Sequence, residues 1–592
     1  MYKQIALLAC AALMAVPHAV QAGEGPRKFL WTELIGFDNT LPDYGVEEFL
    51  SRSKFKPDGI SLLLVEAEVF ERHVAGLPSD VAYPDRACSY GGRPYNCERK
   101  RQKWTAFQVR GLVGEINRRG IETYASFFEW GRQDLTGLTP AGDEPYVDFF
   151  VRQSCAFLRD YGFTGLHAAD GFAHPRKDLS HRGVPLAKRF AEAEKWGAFW
   201  RKAGAAFKRA GFKTYLNSCW KRDPYEALIR YGYDYRPVNA SDITGWVIEG
   251  SCGVGELEGW TKTDESDMDN MSAMLTRLAP VLKGKETVVM FCVKDDLEQY
   301  HCLYHAPTQT EAAAFIIGGS LCDERRATQG VLACLSDGVK PGDWDRLDRT
   351  WRAAYSGVPA EAMGVRVVWS GRAFDGEARQ APEKGLASSF KLLAALIHCG
   401  TVVGGAVSVE TALANPDMPV LVLNPGFFPE DELASLRKRG ERCVEFGYGR
   451  DDFTEHPVKE EPQSWLDPLV ESRPGRAAFV RCRRAANVWS PVVPADRHAD
   501  LVVTGFWLED GSLRVAVRNN RQTYVESELC LQQPVGDVRI CSDFPTMPVR
   551  QALHAKLPPK GVVVLDLQNV IHNVIRSLDK TQKRKESIQC AH

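Results

Sequence analysis

A regular alternation of short apolar runs with amphipathic segments constrains the fold of this chain more than any other feature. The apolar runs are Phe29–Leu34, Gly59–Val65, Glu122–Phe128, Gly165–Ala169, Lys213–Leu216, Thr244–Ile248, Thr287–Val293 and Ala314–Gly319. Helical patterns separate them, among them Tyr44–Ser53, Lys103–Arg119, Tyr146–Tyr161, Lys188–Ala210, Asp223–Tyr231 and Met268–Lys283. Eight strands that alternate with helices predict a closed (β/α)8 or TIM barrel, whose strand ends surround one pocket. An open doubly wound sheet is the alternative, but no glycine-rich phosphate loop follows the first run.

Two smaller units follow the barrel. Strand and helix patterns after a helical segment at Trp344–Tyr355 predict a small Rossmann-like α/β domain. Two alternating runs, Leu501–Glu509 and Ser512–Asn519, flank an Asp510-Gly511 turn and predict a hairpin within a C-terminal β-sandwich. The expected order is therefore a barrel at 23–340, an α/β domain at 341–473, a sandwich at 495–575 and a flexible basic tail at 576–592.

The first 22 residues have the pattern of a cleaved secretory signal peptide. Lys3 precedes the apolar run Ile5–Val16, and the small-residue site Val20–Ala22 stands before Gly23. No later run reaches the ~18–20 apolar residues that a membrane-spanning helix needs. We therefore expect a secreted or periplasmic protein with no membrane span. Export permits disulfides, and the two candidate pairs are Cys88/Cys97 and Cys530/Cys541.

Charge and composition exclude several kinds of partner. The net charge of -2 gives no electrostatic basis for binding nucleic acid. No CxxC motif or His/Cys cluster is present, so neither a metal nor another cofactor is expected, and a hard cation such as calcium is the alternative. The oligomeric state stays open.

Carboxylates follow several of the predicted strands at the end where barrel enzymes carry their chemistry. Asp170 ends the fourth run within Tyr161–Phe172, and Glu249 ends the sixth within the apolar turn GWVIEG. Glycoside hydrolysis needs two such carboxyls, one acid and one base or nucleophile. The apolar setting of Glu249 suits an acid. We therefore expect Asp170 and Glu249 to form the catalytic pair, with Glu129 as the third candidate.

Other side chains at the strand ends are candidates for substrate binding. They are Glu33, Glu66, His167, Asn217, Trp130, Trp220, Arg236 and Asp295. Several candidates also have a structural interpretation. Asp170 could cap the next loop, Glu249 could pair with Arg236, and Glu129 could hold Arg132. Strand alternation does not put His167 beside Asp170, which favours a hydrogen-bonded core histidine. The two tryptophans could stack on sugars or pack between barrel and helix.

The domain order resembles that of the family 42 β-galactosidases, whose middle domain is similar to a glutamine amidotransferase fold without its activity. The resemblance covers nearly the whole mature chain at the level of architecture. Its motifs differ, because here the fourth strand ends in Ala168-Ala169-Asp170 and the seventh in Lys294-Asp295. The strand-four acid with a strand-six partner looks more like the α-galactosidase clan. That likeness implies Asp170 as nucleophile and Glu249 as acid/base, although the clan's Lys-x-Asp signature is absent because position 168 is Ala.

The sequence thus predicts a secreted glycoside hydrolase that acts on oligosaccharides or glycans. One alternative is an inverting sialidase-like barrel, in which His167, Arg132 and Arg236 recognise an acidic sugar. The other alternative is a catalytically inactive barrel that binds carbohydrate.

Overall fold

The structure is a computed structural model. It describes residues 25–38, 40, 45–64, 69–82, 103–127, 144–169, 184–219, 223–249, 267–293, 307–334, 339–450, 473–494, 501–521, 523–531, 538–542, 553–559 and 561–568. Within these ranges, no helix has both the length and the hydropathy to cross a membrane.

Eight parallel strands close into a barrel, which confirms the predicted (β/α)8 fold. In chain order they are β1 (Arg27–Glu33), β2 (Gly59–Leu63), β3 (Glu122–Phe127), β4 (Gly165–Ala168), β5 (Lys213–Asn217), β6 (Gly245–Glu249), β7 (Glu286–Cys292) and the closing strand β10 (Gly330–Cys334). The circuit β1-β10-β7-β6-β5-β4-β3-β2 places each strand beside its neighbour in this order. Glu249 and Asn217 therefore end two adjacent strands.

Helices connect the strands and cover the barrel. Those described are Val46–Leu50, Val69–Val74, Ala106–Arg118, Tyr146–Tyr161, Leu186–Arg209, Pro224–Tyr231, Tyr235–Asn239, Asp267–Leu282, Pro307–Gly318 and Pro341–Tyr355. Local signals fix several of their ends. Thr105 forms a capping box with Gln108, and Asp223 caps the segment that begins with Pro224. Gly162 ends Tyr146–Tyr161 in the left-handed region at φ 78°.

The prediction of the eighth strand at Ala314–Gly319 is wrong. Residues 314–318 belong to the helix Pro307–Gly318, and the eighth barrel strand is β10. This helix packs against Pro341–Tyr355 and Asp267–Leu282, and Ala312, Ala314 and Ile317 are fully buried. A helix buried on several sides has no polar face, so its apolar run reads like a buried strand.

Three aromatic rings fill the amino-terminal end of the barrel. Phe29, Tyr124 and Tyr215, from β1, β3 and β5, have ring centroids 5.2–5.9 Å apart. The strands between and beside them begin with glycine. A Cβ added to Gly59 would lie 2.5 Å from the Phe29 ring, and one added to Gly245 would lie 2.7 Å from the Tyr215 ring. Alternate strands thus supply large and minimal side chains to one packed layer.

A mostly parallel six-stranded sheet follows, in the order β15-β14-β12-β13-β8-β9. Its strands are β8 (Leu321–Cys322), β9 (Arg325–Arg326), β12 (Val365–Trp369), β13 (Val403–Ser408), β14 (Val420–Leu423) and β15 (Cys443–Phe446). Its helices are Gly371–Lys384, Ser389–His398, Val409–Ala414 and Glu430–Arg437. The hairpin β8–β9 lies in the chain before the closing barrel strand, so the barrel segment itself supplies an edge of this sheet.

Two antiparallel sheets form the third unit. One has the order β11-β17-β18-β22-β20 and the other β16-β19-β21. Their strands are β11 (Pro359–Ala362), β16 (Val492–Pro494), β17 (Leu501–Leu508), β18 (Leu513–Asn519), β19 (Val525–Leu531), β20 (Val538–Ile540), β21 (Leu553–Leu557) and β22 (Val562–Leu567), preceded by the helix Arg473–Asn487. Val492, Val525 and Leu557 from the smaller sheet share a core with Val515 and Leu565 from the larger, which makes the unit a β-sandwich.

The predicted Cys530–Cys541 disulfide is wrong. Cys541 is a free thiol that lies 3.1 Å from Asp566 Oδ2 on β22 and donates a hydrogen bond to it. Burial, followed by the contact with Asp566, raises the pKa of this thiol to about 11, so it stays protonated. The second candidate pair, Cys88 and Cys97, lies outside the described residues.

A buried carboxylate joins all three units. Asp269, on the barrel helix Asp267–Leu282, is 0% exposed. Its carboxylate oxygens accept hydrogen bonds from His398 Nδ1 (2.9 Å) in the α/β unit and from Arg518 Nη2 (2.5 Å) and Asn520 Nδ2 (2.8 Å) in the sandwich. Burial alone would raise the pKa of Asp269, but the charge of Arg518 and the contact with His398 hold it below its usual value.

We expect Asp269→Asn to destabilise the protein by about 3–5 kcal/mol, because it leaves the buried Arg518 guanidinium without its counter-charge. Asp148→Asn is the matched control, since the Lys202–Asp148 pair is exposed at 54% and 42%. That control should change the free energy of unfolding by less than about 1 kcal/mol. Urea titration measures both, and equal unfolding midpoints would contradict the role of Asp269. Because the carboxylate pKa is depressed, its contribution is present at neutral pH and is lost only below about pH 4.

Candidate functional site

The carboxyl ends of the barrel strands bring buried polar side chains to one end of the barrel. Glu33 ends β1, Asn217 ends β5 and Glu249 ends β6, and all three residues are at most 2% exposed. Asn217 pairs with Val247 across the ladder, and Val247 and Glu249 share one face of β6. The structure therefore brings two of the predicted site residues, Asn217 and Glu249, into direct contact.

A chain of hydrogen bonds crosses the barrel interior to Glu249. Asn217 Nδ2 donates to Glu249 Oε2 at 3.4 Å, a long contact. Asn217 Oδ1 lies 2.6 Å from His167 Nε2, and His167 Nδ1 lies 2.7 Å from Ser61 Oγ. Ser61 lies on β2 and His167 on β4, so the four residues come from the four strands β2, β4, β5 and β6. We call these four residues the Ser61–Glu249 chain.

Packing fixes the position of His167 in the Ser61–Glu249 chain. The Trp31 ring meets the His167 ring edge-on, with centroids 5.1 Å apart. Trp31 Nε1 in turn donates to Ser126 Oγ at 3.0 Å. Burial, offset in part by the hydrogen bond that His167 donates to Asn217, lowers the pKa of His167 from 6.5 to about 4. The imidazole is therefore uncharged at neutral pH.

Two hydrogen bonds of Ser218, which directly follows the neighbouring strand β5, hold the backbone around Glu249. Glu249 N donates to Ser218 Oγ at 2.9 Å, and Ser218 N donates to Val247 O at 2.8 Å. Ser218 is fully buried. These bonds extend the contact between β5 and β6 one residue past the end of β5, so the carboxylate sits on rigid backbone.

Arg236 lies on the short helix Tyr235–Asn239, between β5 and β6, and its described ion pairs are with carboxylates other than Glu249. Its guanidinium binds Asp234 at 2.8 Å and Asp375 of the α/β unit at 2.8 Å, and it covers the Phe374 ring at 4.6 Å. In the described contacts, Arg236 therefore joins the barrel to the α/β unit.

Six of the predicted site residues lie outside the described residues. They are Asp170, Glu129, Glu66, Trp130, Trp220 and Asp295. In sequence, Asp170 directly follows Ala169, which is fully buried and whose N–H donates to Phe127 O at 2.9 Å. Within the described part of the chain, no cluster of His, Cys, Asp and Glu residues could hold a metal ion.

Sequence reasoning missed Ser61 and Ser218. Ser61 is the one polar residue in the strand GISLL, and a hydroxyl in an otherwise apolar buried strand signals a hydrogen-bond partner inside the barrel. Ser218 follows Asn217 directly, so its position at the strand end was visible. Neither signal identifies the hydrogen-bond partner of the serine, because His167 and Glu249 are distant from Ser61 and Ser218 in the sequence.

Comparisons with known proteins find similarity of structure only. No protein-family profile and no curated protein matches the chain. A trehalose-6-phosphate hydrolase of Bacillus licheniformis aligns over 92% of this chain and 99% of its own, at 10% identity and a TM-score of 0.41. A putative alpha-galactosidase/melibiase of Bacteroides fragilis covers 92% and 79%, at 9% identity and a TM-score of 0.34. A GH18 chitinase of Pseudoalteromonas aurantia covers 55% and 99%, at 10% identity and a TM-score of 0.31.

All three solved structures have TM-scores below 0.5 and are at most 10% identical to this chain. Their similarity to this chain is too weak to transfer an activity or a site residue to it. The chemistry of the site is therefore argued from the residues of this chain.

The buried neutral histidine makes the protein sensitive to acid. The unfolded chain takes up a proton at His167 near pH 6.5, whereas the folded protein does so only at about pH 4, so stability rises with pH across this window. We expect wild type to lose about 2 kcal/mol more than His167→Gln when the pH falls from 7 to 5. Urea unfolding of both proteins at the two pH values measures the difference, and an identical pH dependence would contradict it.

Proposed function

We propose that this chain is an exported glycoside hydrolase that cleaves glycosidic bonds of oligosaccharides or glycans with two carboxylates at the barrel rim. The observation that carries the proposal is Glu249, a buried carboxylate at the end of β6, which accepts a hydrogen bond from the neutral amide of Asn217. The pattern of a signal peptide at residues 1–22 supports export. N-terminal sequencing of exported protein should then begin at Gly23.

The roles follow from what the reaction requires. A glycosidase needs one carboxyl that can give a proton to the leaving oxygen and a second that is charged. We assign the first role to Glu249, since an amide donor accommodates both its protonated and its ionised form. We assign the second role, nucleophile, to Asp170, which follows β4 in sequence; Glu129 is the next candidate.

The described contacts do not favour the sialidase-like alternative. That enzyme would need Arg236, His167 and Arg132 to recognise an acidic sugar, and Arg132 lies outside the described residues. Arg236 already binds Asp234 and Asp375, and His167 is uncharged and 1% exposed. An inactive carbohydrate-binding barrel remains the other candidate, and a panel of nitrophenyl glycosides and sialyl-oligosaccharides separates it from an enzyme.

Glu249→Gln should spare substrates with good leaving groups, which depart without protonation, and slow those with poor leaving groups by ~10²–10⁴-fold. Asp170→Asn should abolish turnover and leave substrate affinity largely intact. Steady-state kinetics on aryl glycosides of graded leaving-group pKa measures both effects.

Asp242→Asn is the control, because Asp242 lies just before the same strand β6 at the opposite end of the barrel and pairs with Lys208 on the surface. Its kinetics should match wild type. Wild-type activity in Asp170→Asn would refute that assignment and make Glu129 the next residue to test.

If the product retains configuration, the two catalytic carboxyls should stand about 5–5.5 Å apart, and if it inverts, about 6.5–9.5 Å.

A further inference from the structure

In the Ser61–Glu249 chain, the chemistry of each group determines which atom donates each hydrogen bond and which atom accepts it. Asn217 Nδ2 donates to Glu249 Oε2 at 3.4 Å, and a carboxyl oxygen can accept this hydrogen bond in its ionised and in its protonated form. Asn217 Oδ1 then faces His167 Nε2 at 2.6 Å and must accept, which places the imidazole proton on Nε2. His167 Nδ1 is left as an acceptor for the Ser61 hydroxyl at 2.7 Å.

From this order we infer that Ser61 and His167 are positioning residues, which hold the Asn217 amide so that its NH₂ group faces Glu249. The inference rests on the proposed function and extends it to the support of the catalytic carboxyl. It also gives His167 a role other than the sugar contact expected from the sequence, since the residue is only 1% exposed.

The need for such support lies in the symmetry of an amide. The two ends of the Asn217 side chain differ little in size, so packing alone does not choose between them. A flipped amide would turn its carbonyl oxygen toward the Glu249 carboxylate and repel it. A histidine that carries its proton on Nε2 pairs well with only one of the two orientations.

Rigid neighbours keep the histidine itself in place. Trp31 packs edge-on against its ring, at 5.1 Å between centroids, and is fixed by Ser126. With the proton on Nε2, the Ser61 hydroxyl donates to Nδ1 and fixes the orientation of the ring. All four residues of the Ser61–Glu249 chain come from strands, which place side chains more accurately than loops do.

Ser61→Ala tests the inference against Thr123→Ala. Both hydroxyls lie on barrel strands, are at most 2% exposed and form a side-chain hydrogen bond, but Thr123 Oγ1 donates to Asn117 Oδ1 at 2.9 Å and does not belong to the Ser61–Glu249 chain. Ser61→Ala should lower kcat for substrates with poor leaving groups about tenfold, the cost of one misplaced buried hydrogen bond, with little change in KM. Substrates with good leaving groups should be affected much less. Thr123→Ala should not show this dependence on the leaving group, and equal behaviour of the two variants would overturn the inference.

Nitrogen NMR of histidine-labelled protein gives a readout that does not need activity. At pH 7 wild-type His167, assigned by comparison with His167→Gln, should be neutral with its proton on Nε2, and Ser61→Ala should move the Nδ1 resonance toward that of a nitrogen that receives no hydrogen bond. A wild-type proton on Nδ1, a cationic ring or an unchanged Nδ1 resonance in Ser61→Ala would overturn the inference. If wild type shows no glycosidase activity but His167 has the expected tautomer, the proposed function is refuted, whereas the positioning of the Asn217 amide by His167 is not.

Discussion

The buried carboxylate of Asp269 is the interaction on which the arrangement of the three units depends. A charge without water needs compensation inside the protein, and here the compensating groups come from two other units. The helix that carries it, Asp267–Leu282, also carries Arg277, which lies 3.9 Å from Asp223 and 3.6 Å from Glu377 of the α/β unit. Asp223 caps the helix that follows β5. One barrel helix thus connects the appended units to the segment next to Asn217.

The two ends of the barrel are built for different tasks. At the amino-terminal end, aromatic rings fill the interior, and Arg27 binds Glu122 at 3.1 Å and Glu286 at 3.2 Å. Toward the carboxyl-terminal end the interior side chains become polar, with His167, Asn217 and Glu249 in one connected chain. A packed and charge-paired base gives stability, and it leaves the polar end as the place where side chains are held for chemistry.

The sequence predicted seven barrel strands because each has an apolar run bounded by helical patterns. The eighth failed because the helix Pro307–Gly318 is buried on several sides and shows no periodicity. The hairpin β8–β9 could not be assigned to the α/β sheet, since strand partners distant in sequence leave no local signal. The sequence predicted Glu249 and Asn217 at strand ends, and the structure places both there; strand alternation supported the core interpretation of His167. The contacts of Arg236 with Asp234 and Asp375, and the thiol of Cys541 on Asp566, depend on tertiary packing that spacing does not encode.

The neutral state of His167 matters for the role assigned to Glu249. A cationic imidazole close to the carboxyl would favour its ionised form and would oppose the protonated form that a general acid requires. Burial keeps the imidazole uncharged, and the amide of Asn217 separates it from the carboxyl. The Ser61–Glu249 chain therefore fixes the geometry of Glu249 without adding a charge next to it. A carboxyl that must alternate between acid and base in each catalytic cycle is best supported by neutral donors of this kind, because they stabilise neither form to the exclusion of the other.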